Sequence, residues 1–280
     1  MPTYTEDFTT IPFGPLGIIA TPGCEELAAK IDKYIVEWRA NRESEHKTTI
    51  AFAGYQRDSY IIDVKFPRFG SGEAKALITE SVRGYDLFIL TDVFNYGVTY
   101  KMYDMVVPMS PDDHYANLKR AIAAVAGKAH RITVIMPMLY EGRQHKRSSR
   151  ESLDCAIALQ ELCHTMGVDN IITFDAHDAR VQNAIPLKSF ENVTTVYQMI
   201  KALVNTVDNL KIDKDHLMII SPDEGGMSRC IYYSTVLGID LGMFYKRRDY
   251  TRIVDGRNPI VAHEYLGANV EGKDVVIVDD

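Results

Sequence analysis

Short, continuous apolar runs recur along the chain: Leu16 to Ala20, Leu87 to Leu90, Ile132 to Met136, Ile171 to Phe174, Leu217 to Ile220, Met243 to Tyr245 and Val275 to Val278. Hydrophobicity that is continuous over strand length, rather than alternating, predicts parallel strands buried on both faces. Between these runs, Glu25 to Trp38, His114 to Ala126, Ser152 to Met166, Thr195 to Val207 and Met227 to Leu237 carry apolar residues at helical spacing. Strand and helix in regular alternation imply right-handed crossovers and a mainly parallel sheet, so the expected class is α/β.

A faint internal repeat suggests two similar domains. TMGVDNIITFDAH, ending at His177, resembles TVLGIDLGMFYKRR, ending at Arg248, and a helical pattern precedes each. The expected domains are 1–192 and 193–280, with the boundary in LKSFENVTT. Asn41 to Pro67 reads as a loop, RESEHKTT, followed by an added strand, YIIDVKF; Asp92 to Pro111 shows no period and reads as an irregular excursion.

Composition narrows the function classes. At 280 residues, 46% hydrophobic and 25% charged, the chain is long enough for two ordinary cores. The first twenty residues lack the basic start and apolar run of a signal peptide, and no apolar stretch approaches membrane-spanning length, so a cytoplasmic protein is expected. The four cysteines, Cys24, Cys155, Cys163 and Cys230, form no CxxC pair and no zinc spacing, and are expected to be buried thiols. A net charge of −7 argues against a general nucleic-acid binder. Basic residues nevertheless gather in RQHKRSSR, Arg143 to Arg150, and in KRR, Lys246 to Arg248, which suits a small and highly anionic ligand.

Five segments carry candidate chemistry, each with a plainer explanation beside it. VVIVDD ends a strand pattern in Asp279 and Asp280, a carboxylate pair suited to sugar hydroxyls or hydrated magnesium, or to a strand end facing water. In SPDEGGMSR, Asp223 precedes Gly225 and Gly226 at a helix start, which favours anions; a turn with an N-cap explains the same letters. FDAHDAR places Asp175 and His177 just beyond a strand, where a histidine is more often structural than a ligand. In YKRRDYTR, Lys246 and Arg248 alternate in an extended segment and could face one phosphate-bearing ligand, or form a solvated loop. YEGRQHKR poses the same choice for Arg143 and Gln144.

Together these segments resemble the ribose-phosphate pyrophosphokinase (phosphoribosyl pyrophosphate synthetase) family, in matching order over about residues 66 to 90 and 112 to 280. RFGSGE, Arg68 to Glu73, resembles the family's RFSDGE-like motif, and ESVRGYDLFIL follows it. That resemblance implies that Phe69 stacks on adenine while Ser71 and Glu73 touch the base from a neighbouring subunit; Ser71 stands where an aspartate is usual. YEGRQH resembles YARQD, implying ATP contacts for Arg143 and Gln144, with His145 in the place of an aspartate. FDAH resembles MDLH, making His177 an ATP-site residue and a magnesium ligand with Asp175 close by; SPDEGG resembles SPDxGG, offering Asp223 to metal or ribose. KRR resembles the basic start of the family's catalytic loop, so Lys246 and Arg248 are the implied catalytic residues, and VVIVDD leads into the phosphoribosyl-binding motif, where Asp279 and Asp280 hold ribose hydroxyls.

The resemblance implies two phosphoribosyltransferase-like domains and transfer of the pyrophosphoryl group of Mg2+-ATP to the anomeric hydroxyl of ribose 5-phosphate. It also implies a homodimer-based assembly, often a hexamer. The family's Thr/Gly-rich phosphate loop would follow Asp280, so the sequence is expected to be C-terminally truncated, and the longer segments Asn41 to Val64 and Asp92 to Met109 mark a divergent branch. Two rivals are a phosphoribosyltransferase and a catalytically inactive regulatory relative.

Overall fold

The structure, a computed structural model, describes residues 13–44, 57–248, 251 and 260–279. The chain forms two compact units, Met1–Val193 and Thr194–Asp280. In the first, chain order gives β1 (Leu16–Ala20), α1 (Glu25–Ser44), β2 (Val64–Lys65), β3 (Leu77–Ile78), β4 (Asp86–Leu90), β5 (Thr99–Met102) and β6 (Met105–Pro108). There follow α2 (Pro111–Val125), β7 (Arg131–Ile135), α3 (Asp154–Gln160), β8 (Asn170–Phe174) and β9 (Ser189–Val193). The central sheet has the order β1-β4-β7-β8-β9, all neighbours parallel, as the continuous apolar runs predict.

Successive side chains of a strand leave opposite faces, and both faces here are covered. Ile18 and Leu90 pack with Ala28 and Ile31 of α1 and with Tyr60 on one side. Ile19, Leu87 and Ile89 pack with Leu118 and Ile122 of α2 and Leu159 of α3 on the other. Fully burying such an aliphatic side chain stabilises the fold by roughly 1.5–3 kcal/mol. The added strand predicted in YIIDVKF is short: the Ile18 N–H donates to Tyr60 O and the Ile62 N–H to Ile18 O, each at 2.8 Å, and β2 then pairs with β3.

Three elements depart from the sequence reading. The irregular excursion contains a hairpin, β5 paired with β6 across the turn at Tyr103 and Asp104. Tyr103 takes φ 51°, a left-handed turn conformation usually signalled by Gly or Asn, so the turn chemistry was hidden. The expected linker LKSFENVTT contains β9, an edge strand that alternates between exposed and half-buried positions and so lacks a continuous apolar run. The single helix expected over Ser152 to Met166 widens after Gln160 into a π-turn, Glu161–Thr165, where the Glu161 carboxylate accepts hydrogen bonds from Tyr115 Oη and Lys119 Nζ, each at 3.0 Å.

The second unit contains α4 (Val196–Thr206), β10 (Leu217–Ser221), α5 (Met227–Leu237), β11 (Asp240–Arg248), β12 (Ile260–Gly267) and β13 (Asp274–Ile277). Its sheet has the order β12-β11-β10-β13, with β10 parallel to both β11 and β13. β12, which no apolar run signalled, pairs antiparallel to β11, so this sheet is mixed. Leu217, Ile219, Cys230, Tyr233 and Ile239 form its core. Among the described residues, no helix is long and apolar enough to cross a membrane.

Candidate functional site

In an open α/β sheet the turns beyond the carboxyl ends of the strands face one crevice. β7 and β8 are neighbours in the first sheet, and their following turns hold two of the predicted segments. After β7 the chain passes Pro137 to Tyr140, where the Tyr140 ring stacks on Tyr115 at 4.2 Å and its hydroxyl donates to Asp112 Oδ1 at 2.5 Å. Glu141 then adopts φ 55°, and Gly142 comes so close to the preceding turn that a β-carbon there would stand 3.1 Å from Leu139 O. The Gln144 amide donates to Ser152 O at 2.7 Å, fixing the far end of the turn and leaving Arg143 exposed.

The turn after β8 is held from β9. The Asp175 N–H donates to Val193 O at 3.1 Å, and the Ala176 N–H to the Asn192 side-chain oxygen at 2.8 Å. Asp175 has φ 39°, so each candidate turn contains a non-glycine residue in the left-handed region, Glu141 in one and the predicted site residue Asp175 in the other. Such strain persists only where surrounding contacts impose it, and it concentrates at functional sites.

These turns meet through side chains. The rings of His145 and His177 lie 5.2 Å apart between centroids, and His145 Nε2 is 3.4 Å from Asp178 Oδ2. Asp178 also accepts from Arg180 through Nε and Nη2, which holds its carboxyl far below the usual carboxylate range; partial burial opposes that effect and His145 reinforces it. Arg143, Gln144, Asp175 and His177 thus lie on two neighbouring turns. Sequence reasoning assigned no role to Asp178. The signal was present in FDAHDAR, where a second carboxylate directly follows His177.

RFGSGE is held by other elements. Phe69 and Glu73 close a tight loop through Phe69 N–H to Glu73 O at 2.8 Å, the Ser71 hydroxyl donates to Glu73 Oε2 at 2.9 Å, and Phe69 is about half exposed at 53%.

In the second unit, β10 lies between β11 and β13, so the carboxyl ends of the three strands share one edge. Asp223 follows β10, and its Oδ1 accepts from the Gly225 and Gly226 N–H groups at 2.9 and 3.3 Å. The turn anticipated for this segment is present, but Asp223 does not cap α5: the N-cap residue is Gly226 and no side chain caps the helix. A β-carbon at Gly226 would stand 2.9 Å from Ser221 Oγ, which is why a glycine opens α5 here. Asp279 follows β13 on the neighbouring strand and is exposed; Asp280 lies outside the described residues. Lys246 and Arg248 lie on β11, where the backbone of Lys246 pairs with that of His263 and the register shifts between Arg247 and Arg248.

Among the described residues, no group of three His, Cys, Asp or Glu side chains could hold a metal ion. The Asp175–His177 turn offers one carboxylate and one imidazole. The carboxylate is the oxygen donor that suits magnesium, which is held by one or two carboxylates and completes its shell with water and substrate phosphates.

The fold and these strand-end turns define an α/β protein of two units with polar clusters at the carboxyl edges of both sheets. Residues 16–167 match the family described as the N-terminal domain of ribose phosphate pyrophosphokinase, and the chain belongs to that family. It is 27% identical over 213 residues to ribose-phosphate pyrophosphokinase A of Dictyostelium discoideum, covering 76% of this chain and 59% of that protein. It is 28% identical over 247 residues to the ribose-phosphate pyrophosphokinase of Chlorobaculum tepidum, covering 88% and 66%. The chain therefore spans about two thirds or less of the length of these relatives. The fold matches the crystal structure of phosphoribosylpyrophosphate synthetase from Mycobacterium smegmatis with a TM-score of 0.70 at 21% identity, over 95% of this chain and 71% of that one.

Proposed function

We propose that the chain acts as a ribose-phosphate diphosphokinase, transferring the β,γ-pyrophosphoryl group of ATP to the anomeric hydroxyl of ribose 5-phosphate. The observation that carries the reading is the meeting of the Arg143–His145 and Asp175–Asp178 turns at adjacent strand ends, in a chain of this family. Arg143 and Gln144 would contact ATP from one turn and His177 from the other, while Phe69, Ser71 and Glu73 would engage the base. Asp223, Asp279 and Asp280 would bind ribose 5-phosphate.

Asp175 and His177 of the first unit are proposed to hold magnesium there, and Asp223 of the second unit is proposed as a metal contact in its own right; magnesium when bound would offset phosphate charge and help align the transferring group. The reaction is an in-line displacement: the anomeric oxygen forms a bond to the β-phosphorus, the α,β-bridging bond breaks, and AMP leaves with the bridging oxygen. The hydroxyl proton is lost to solvent. Transfers of this kind depend on alignment and charge stabilisation more than on covalent help from the protein. Lys246 and Arg248 are the residues proposed to stabilise charge on the pyrophosphoryl group.

A homodimer-based assembly and a cytoplasmic location are part of the same proposal, supported by the family membership. The test is AMP formation from ATP and magnesium with and without ribose 5-phosphate. Sugar-dependent AMP supports the reading, whereas consumption of a purine or pyrimidine base with phosphoribosyl pyrophosphate would favour a phosphoribosyltransferase.

A further inference from the structure

The hairpin β5–β6 has two unequal faces. Along β5, Thr99 and Lys101 are exposed while Tyr100 and Met102 are half buried, an alternation that places one face of the hairpin against other structure. The surface it covers is the RFGSGE loop. The guanidinium carbon of Arg68 lies 3.8 Å from the centroid of the Tyr100 ring, within the range of a strong cation–π contact. The Tyr103 N–H, at the hairpin tip, donates to Gly70 O at 2.8 Å. Gly72, at φ 92°, sits so close that a β-carbon would stand 3.0 Å from Met102 Sδ.

Arg68 is the centre of this arrangement. Nη1 donates to Gly72 O at 3.0 Å, closing the loop on itself, and Nη2 donates to Asp113 Oδ1 at 3.2 Å. Asp113 is the residue whose side chain accepts from the Ser110 N–H at the start of α2 while its own N–H donates to the Ser110 hydroxyl. Burial opposes the charge of Asp113, but the Ser110 hydrogen bonds and the Arg68 guanidinium outweigh it and hold its carboxyl below the usual range. One side chain, only 12% exposed, thus joins the loop, the hairpin and the first turn of α2. A planar guanidinium can serve all three at once, because its fork donates in two directions while its face stacks; a lysine cannot.

We propose that Arg68 is a positioning residue for nucleotide binding, and that the β5–β6 hairpin clamps the RFGSGE loop so that Phe69 is held in place for the base. The inference rests on the nucleotide reading above. It assigns a purpose to the excursion of Asp92 to Pro111, which the family resemblance leaves unaccounted for. The ordering cost of the loop is met during folding, and less remains to be met on binding.

The test combines hydrogen–deuterium exchange of residues 69 to 74 with equilibrium binding of Mg2+-ATP, on the full chain and on Arg68→Met, Arg68→Lys and Tyr100→Leu. In Arg68→Met and Tyr100→Leu the loop amides exchange at least tenfold faster without nucleotide, and the Kd for ATP rises at least tenfold. Arg68→Lys recovers part of both. Tyr100→Leu keeps the test valid if Arg68→Met does not fold. Unchanged loop exchange in a folded variant overturns the clamp, and faster exchange with unchanged ATP affinity overturns its link to the nucleotide. An unmodified chain that binds no ATP contradicts the nucleotide reading itself, an outcome separable from the others because loop exchange is read without ligand.

Discussion

The imidazole of His145 lies 5.2 Å from that of His177 between ring centroids, and the carboxylate of Asp178 approaches His145 Nε2 from the other turn at 3.4 Å. Asp178 thus brings a carboxylate from the turn after β8 to an imidazole on the turn after β7.

Asp178→Asn removes that charge and its pairing with Arg180 and His145. The Asp178 carboxyl is held below its unfolded range, so the stabilisation it gives is complete above about pH 4 and is lost as pH falls through the lower folded value. Because Arg180 is 80% exposed, the loss near pH 7 is the small one of a solvent-screened pair. Thermal unfolding against pH should show a deficit for Asp178→Asn that is constant near pH 7 and begins to shrink only below about pH 4. A deficit independent of pH would show that the charge is not the cause.

Asp32 on α1 is buried, and its carboxylate accepts from the Tyr60 N–H at 2.7 Å and from the Ser59 hydroxyl at 2.8 Å. It therefore ties the short added strand beside β1 to the helix covering that face. Asp32→Ala leaves a buried N–H unsatisfied and should cost about 1–3 kcal/mol, read as a lower denaturation midpoint. Exchange of the Ile18 and Ile62 amides should quicken first. A midpoint unchanged within error would contradict this role.

All four cysteines are buried and unpaired with one another. Burial is the main cause that pushes the Cys155 thiol up to about 12 and those of Cys24 and Cys163 up to about 11; Cys230 is raised as well. Since the thiolate is the reactive form, native protein at pH 8 should react with a disulfide reagent at least a hundredfold more slowly than after denaturation. Rapid labelling of any cysteine in the native protein would place it outside the core.

The parallel cores were legible because Ile18 and Ile19, or Leu87 and Leu90, must both be apolar when helices cover the two faces. β9 was not legible because an edge strand such as SFENV needs apolar character on one side only. The hairpin was hidden by Tyr103, which takes a turn conformation that its side chain does not announce. At the candidate site, Asp175 and His177 stood out as polar residues at a strand end. The partnership of Asp178 with His145 depends on two adjacent strands, β7 and β8, and no local pattern encodes such a contact.

The central claim concerns which bond of ATP is broken, so the most direct measurement follows ATP labelled at its β-phosphorus in the presence of magnesium and ribose 5-phosphate. The label should move quantitatively into phosphoribosyl pyrophosphate, with an equal amount of unlabelled AMP, and Lys246→Ala should lower the rate on the order of a hundredfold or more. Label that remains in ATP, or that appears in ADP, would contradict pyrophosphoryl transfer by this chain.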